Sequence, residues 1–348
     1  MRVGIVNDLR MATETLRRII ELSDGLEVAW TAVDGHDAVA KTAADRPDLI
    51  LMDLVMPEMD GAEATSVIMR TNPCPILVVT ATIDGNARRV VKALAGGAVD
   101  AVETPTMGLD GSIRGGEPLL ERIARLRLDP GGFRKSSDSP LAQAKIKPRS
   151  SKIAVSSSER PSVVLLGAST GGPQALRQVL SSIPSPLTVP IVIVQHIDPR
   201  FVPGLTNWLT ESTGHPVVGS KPGPMRSGEV VVAAAEQHLI LNEGGYDHRR
   251  EPAESIHRPS VDQLFLSAAS CSFKGIAVLL TGMGTDGAEG MGKLRLAGWH
   301  TIAQDEDSSA VWGMPAAAIR AGGAMETLSI DKIGDRVASR LRTAGANQ

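Results

Sequence analysis

Aromatic side chains are scarce: one Tyr, four Phe and four Trp supply 3% of a 348-residue chain. The apolar fraction is nevertheless 42%, beside 22% charged residues, which describes a soluble globular protein. Its cores must then be built from Val, Leu, Ile, Ala and Met. Cysteine is almost missing. Cys74 and Cys271 stand far apart, which argues against a structural disulfide and for a reducing, cytoplasmic compartment. No Cys/His spacing suggests zinc. No apolar run approaches the ~20 residues of a membrane span. The opening "MRVGIVND" leads directly into a strand-like run, with no charged segment and long apolar stretch before it. A net charge of -3 gives no global footprint for nucleic acid or membrane insertion. We expect a monomer.

The length suggests two domains. Through the first third, short apolar runs alternate with helical patterns: "RVGIVN", "LEVAWTA", "DLILMDL", "PILVVTAT" and "DAVET" read as strands, and "PLLERIARLRL" closes the unit as an amphipathic helix. Five strands alternating with helices imply a parallel sheet covered on both faces. From 129 to 160 the texture turns rich in Ser, Pro, Lys and Arg, and reads as a solvated linker. Beyond it, "SVVLLG", "VPIVIVQ", "GEVVVAAA" and "GIAVLLTG" are buried-strand runs of a second α/β domain, over 161–345.

That second domain carries "GASTG", a G-x-S-x-G string between a strand and a helix, centred on Ser169. The small residues permit a tight turn that exposes the hydroxyl. Pro173 suits the first helical turn, and free N–H groups there can face an oxyanion. Alone, the string equally describes a phosphate-binding turn or mere punctuation. Two other strand ends strengthen the catalytic reading. "IVIVQHID" sets His196 at one, and "AVLLTGMGTDG" sets Asp286 in a glycine-rich loop at another. Chemistry in open α/β sheets collects outside those carboxyl ends. A serine hydroxyl needs a base, His196 can be one near neutral pH, and Asp286 would orient the imidazole. The order Ser…His…Asp differs from the Ser…Asp…His of α/β-hydrolases.

The other histidines are weighed against that triad. His215 and His300 are expected at the surface, and His238 at a strand start, either structural or at the site's rim. His257 sits beside Arg258, which can hold a carboxylate-bearing substrate. The same stretch reads as a helix start capped by Ser260. Asp198, two residues past His196, reads as a turn residue.

"GASTGGPQAL", "VIVQHI", "HRPSVDQLF", "LLTGMGTDGAEGM", "GWHTIAQDE" and "WGMPAAAI" together resemble the catalytic domain of the CheB family, the chemotaxis protein-glutamate methylesterases. The resemblance implies a Rossmann-like α/β domain with Ser169 as nucleophile, His196 as base and Asp286 as its orienter. It also implies a Met283 main-chain contribution to the oxyanion hole and support of the histidine network by Thr170. The implied reaction is hydrolysis of glutamate γ-methyl esters on methyl-accepting chemotaxis receptors, releasing methanol, with glutamine deamidation as a common second activity. No cofactor is implied for ester hydrolysis.

"VND", "LMDLVMPEMDG" and "VVTAT" in the first domain resemble a response-regulator receiver over 1–128, a flavodoxin-like five-stranded fold. The resemblance implies phosphorylation at Asp53 by a histidine kinase of the CheA type. Asp8 and Asp53 would share Mg²⁺, which prefers oxygen ligands and keeps several waters, and Thr80 would bond the phosphoryl group. Three positions depart from the pattern: Asn7 stands for one acid of the usual pair, Thr104 for the usual switch lysine, and Ala101 for a common aromatic. "GIVND" and "VETPTMG" resemble the WspF-like subgroup of Wsp surface-sensing pathways. The enzyme reading competes with a binding protein, in which a pseudo-receiver or an inactive esterase domain sequesters a receptor or kinase. A transcriptional regulator is excluded by an output domain too strand-rich for a helix-turn-helix unit.

Overall fold

The computed structural model describes residues 1–81, 83–108, 111–128, 162–234, 236–252 and 257–343. The linker expected over 129–160 lies outside the described residues, as do the last residues of the expected second domain.

The first unit runs β1 (Arg2–Val6), α1 (Arg10–Glu21), β2 (Glu27–Ala32), α2 (Gly35–Ala44), β3 (Leu49–Met52), α3 (Gly61–Thr71), β4 (Ile76–Thr80), α4 (Ile83–Ala95) and β5 (Asp100–Glu103). A two-residue-per-strand hairpin, β6 (Thr106–Met107) and β7 (Ile113–Arg114), then leads to α5 (Gly116–Leu128). Strand order is β2-β1-β3-β4-β5, with every pairing parallel. Strands β3 and β4 are buried along their whole length because helices cover both faces, which is why their sequences are unbroken apolar runs. Helices α2 and α3 start where Asp34 and Asp60 accept the N–H of Asp37 and Glu63.

The second unit runs β8 (Val164–Ala168), α6 (Gly172–Ser181), β9 (Ile191–Gln195), α7 (Val202–Thr213), β10 (Val217–Gly219), β11 (Val230–Val232), β12 (His238–Asn242), β13 (Gly245–Arg249) and α8 (Val261–Ala269). It continues through β14 (Ile276–Leu279), α9 (Ala288–Leu296), β15 (His300–Gln304), α10 (Met314–Arg320), β16 (Glu326–Leu328) and α11 (Ile330–Thr343). Seven parallel strands are ordered β10-β11-β9-β8-β14-β15-β16, and β12 with β13 forms a separate antiparallel hairpin. From β8 the chain winds first through β9 to one edge and later through β14 to the other. The boundary between β8 and β14 is therefore the switch point, where an open sheet leaves a crevice at its carboxyl ends.

The two units pack through α4. Val91 of α4 is buried within the aliphatic core of the second unit, among residues such as Leu176 and Leu205. In return Phe201, from a single 3-10 turn (Pro199–Phe201) ahead of α7, is buried in the first unit's core beside Val90 and Leu94. Two ion pairs flank this exchange, Arg88 with Glu211 at 3.2 Å and Arg200 with Glu103 at 2.9 Å. Both are solvent-exposed, so the buried side chains hold the contact.

Candidate active site and phosphoryl-acceptor site

Ser169 follows β8, and its N–H is bonded to Thr281 O beyond β14 at 3.0 Å. Its carbonyl accepts from Gly172 N at 2.8 Å, closing the turn into α6. Gly171 supplies the positive φ of 74° that this turn requires. His196 follows β9, and Asp286 lies in the loop between β14 and α9. His196 Nε2 and Asp286 Oδ2 are 2.8 Å apart. His196 Nδ1 is buried and has no hydrogen-bond partner among the described residues. Ser169, Thr170, His196 and Met283 line one cleft of about 520 Å³. No hydrogen bond joins Ser169 Oγ to His196, so the free Nδ1 is the nitrogen left to receive the serine proton. Such bonds are often loose without substrate.

Asp286 is held from four directions. It accepts from Ser260 Oγ at 2.8 Å, Val261 N at 2.7 Å and Asp262 N at 2.9 Å, besides its contact with His196. It thus caps the N-terminus of α8, where unpaired N–H groups and the helix dipole favour an anion. Burial alone would raise its pKa. The hydrogen bond and charge of His196, with the amides of Asp262 and Val261, outweigh burial and hold the carboxyl well below its ordinary range. The carboxylate therefore stays ionised and aimed at the imidazole.

The sequence reading missed several neighbours. Gln195, 2% exposed, donates from Nε2 to Ser169 O at 2.8 Å and to His196 O at 3.0 Å, so one amide ties two strand ends together. The only signal for it was a polar residue ending an apolar strand. Thr281 Oγ1 donates to Thr170 O at 2.9 Å. His257 stacks on His196 with ring centroids 4.1 Å apart and planes 16° from parallel. The hydroxyl of Thr170 makes no hydrogen bond to a described residue. The N–H groups of Thr170 and Met283, two residues that line the cleft, likewise have no described partner.

Ser260 caps α8 as expected, accepting from Gln263 N. Asp198 is a turn residue, bonded to Arg200. His238 starts β12, is fully buried, and accepts from Ser260 N at 3.2 Å. Two expectations fail. His215 is 2% exposed, its Nε2 within 3.1 Å of the carbonyls of Leu180 and Ile183. His300 opens β15 rather than lying at the surface, with Glu326 2.9 Å from its Nε2. A loop-like sequence context does not reveal which carbonyls the fold turns toward a ring.

In the first unit, Asp53 follows β3 and is 7% exposed. Burial pushes its carboxyl up to about 6; the N–H groups of Leu54 and Val55 oppose this, and the charge of Asp8 adds to it. Among the described residues no lysine or arginine offsets this charge, and Thr104 stands where the resemblance implies a lysine. Asn7 has turned its Oδ1 to Leu9 N at 2.8 Å. A buried carboxylate facing a second one without a cation suits a hard divalent ion, and one or two carboxylates with water suffice for Mg²⁺. No cluster of three or more metal-ligating side chains occurs among the described residues. Thr80 is buried, and its Oγ1 accepts from Asn86 Nδ2 of α4 at 3.0 Å.

These features define a class: a receiver joined to an α/β hydrolytic domain in which a serine shares a cleft with the histidine of a His–Asp pair. Comparison with known proteins gives the family. The family model for CheB methylesterase matches residues 164–337, and that for the response regulator receiver domain matches 3–107. The chain belongs to the CheB methylesterase family. It is 43% identical over 346 residues to protein-glutamate methylesterase/protein-glutamine glutaminase 4 of Burkholderia thailandensis, covering 98% of each chain. It is 41% identical over 343 residues to a Pseudomonas fluorescens protein of the same description, covering 97% of this chain and 98% of the other. The crystal structure of the Thermotoga maritima CheB methylesterase catalytic domain superposes with a TM-score of 0.50 at 32% identity, over 52% of this chain and 99% of that one.

Proposed function

We propose that the protein hydrolyses glutamate γ-methyl esters on methyl-accepting chemotaxis receptors, giving glutamate and methanol, and that it deamidates receptor glutamines at the same site. The observation that carries this reading is the fourfold-held Asp286 bonded to His196, in one cleft with Ser169. His196 Nδ1 takes the Ser169 proton as the hydroxyl oxygen attacks the ester carbonyl. The N–H groups of Thr170 and Met283 receive the oxyanion, and Asp286 stabilises the imidazolium. His196 then protonates the departing methoxide, and water repeats the sequence on the acyl-enzyme. Deamidation differs only in the leaving group, ammonia.

The cleft is also walled by Val99, Asp100, Arg122 and Leu126 of the receiver. This supports an autoinhibited resting state. Phosphorylation of Asp53 by a histidine kinase of the CheA type, with Mg²⁺ held at Asp8 and Asp53, would draw Thr80 toward the phosphoryl group and loosen α4 from the catalytic unit. Only a few kcal/mol of differential stability is needed for such a shift. No helix among the described residues is long and apolar enough to cross a membrane. We place the protein in the cytoplasm as a monomer, and, on "GIVND" and "VETPTMG", in a Wsp-like pathway.

The test is methanol release from a methylated receptor, with and without a small phosphodonor and Mg²⁺. Wild type should release methanol and be stimulated; Ser169→Ala should stay folded and release none. Full activity in Ser169→Ala would remove the nucleophile assignment. A folded wild type that binds receptor without releasing methanol would leave the sequestering protein as the better account.

A further inference from the structure

A second cavity, of about 490 Å³, adjoins the catalytic cleft and is lined by Glu236, Gln237, His248, Arg250 and Arg258. Arg258 lines both cavities and follows His257, the residue stacked on the catalytic imidazole. Receiver residues wall the first cavity, but among the described residues none from the receiver lines the second. Arg250 and Arg258 are both exposed, and neither has an ion-pair partner among the described residues. A methyl ester is neutral and has no use for a guanidinium. An anionic group on another part of the substrate would complement these two side chains.

We propose that this cavity is a carboxylate subsite, which recognises an unmodified glutamate or aspartate near the esterified residue on the same protein substrate. The inference rests on the esterase reading and names what the substrate must carry beside the reacting group. A guanidinium pairs a carboxylate through two parallel N–H bonds, a geometry a lysine cannot supply. Glu236 in the same wall lowers the net charge of the cavity to about that of one cation, which suits a singly charged carboxylate better than a phosphate dianion. His248 is engaged, with Nε2 2.9 Å from Ser220 Oγ, so it shapes the floor and leaves recognition to the arginines. On a helical substrate, residues three or four apart sit side by side about 5–6 Å apart. One side chain can then enter the cleft while its neighbour meets Arg258. Because the receiver does not line this subsite, the acidic part of the substrate can be engaged before the cleft opens.

The experiment compares two sets of synthetic peptides carrying one γ-methyl glutamate. The first set has a single glutamate three or four residues to either side, and the second has glutamine there. Methanol release is measured with the full-length protein in the presence of a small phosphodonor and Mg²⁺, and peptide affinity with Ser169→Ala. The expected result is a preference for a glutamate peptide of about tenfold in KM and in Kd, falling to about onefold in Arg258→Gln with Arg250→Gln. The glutamine peptides serve as an internal control for folding. Equal affinity of wild type for both sets, or a preference that survives both substitutions, overturns the subsite. If wild type releases no methanol from any peptide, the esterase reading fails, while the affinities with Ser169→Ala still decide the subsite.

Discussion

Asp286 and Asp262 each bind the start of the other's helix. Asp286, in the loop ahead of α9, accepts the N–H groups of Val261 and Asp262 in the first turn of α8. Asp262 accepts Gly290 N of α9 at 2.7 Å. The two carboxyls are driven apart in acidity. Asp286 is held low by His196 and the α8 amides against the pull of burial, while burial pushes Asp262 up to about 6. The acid facing the imidazole is thus the more acidic of the two, and α8 and α9 are tied together in the register that aims it.

Asp286→Asn keeps the size of the side chain but puts an amide where the His196 N–H and three further donors converge. Methanol release should fall on the order of 10²-fold or more. Peptide affinity in a Ser169→Ala background should change little. A loss confined to affinity would show that Asp286 builds the cleft without orienting the base.

Gly172→Ala tests the tie between strand ends. A Cβ there would lie 1.9 Å from Gln195 Oε1, so Gln195 must leave its place. Its bonds to the carbonyls of Ser169 and His196 go with it. We expect kcat to drop by about tenfold or more, at a stability cost of about 1–3 kcal/mol from displaced buried polar groups. Gln195→Leu should reproduce the loss of kcat without any clash. Normal kcat in both variants would show that the turn at Ser169 holds by itself.

Phe201→Ala empties the site that the catalytic unit fills in the receiver. Removing a buried Phe costs about 3–5 kcal/mol in a core, and here that cost falls on the contact between units. Methanol release without phosphodonor should rise several-fold and stimulation by phosphodonor should shrink. Unchanged basal release would mean that this contact does not restrain the enzyme.

Asp53 gives a stability signature. Its folded pKa of about 6 lies above the ordinary 3.8, so the folded state binds its proton more tightly than the unfolded chain. This contribution is fully present below pH ~4 and is lost as pH rises through 6. Asp53→Asn should therefore stabilise the receiver at pH 8 by on the order of 1–3 kcal/mol, and the gain should vanish at pH 4. Mg²⁺ should raise the melting temperature of wild type at pH 8 and leave Asp53→Asn unmoved. Thermal melts across pH 4–8 check both; a constant gain at every pH would rule out a buried charge as the cause.

The sequence by itself determined the parallel sheets and the strand ends on which Ser169, His196, Asp286 and Asp53 sit. Those features are local: an apolar run, a glycine break and a helical period repeat within a few residues and need no distant partner. It also determined the cap at Ser260, since capping joins residues three apart. Only the tertiary structure decided which nitrogen of His196 meets Asp286, that Gln195 bridges two turns, and that His257 stacks on the ring. It alone buried His215, set half-buried His300 against Glu326 and exchanged Val91 for Phe201 between the units. Each of these depends on groups tens to a hundred residues apart, and no local pattern encodes which of many polar or apolar side chains will find the other across a packed interface.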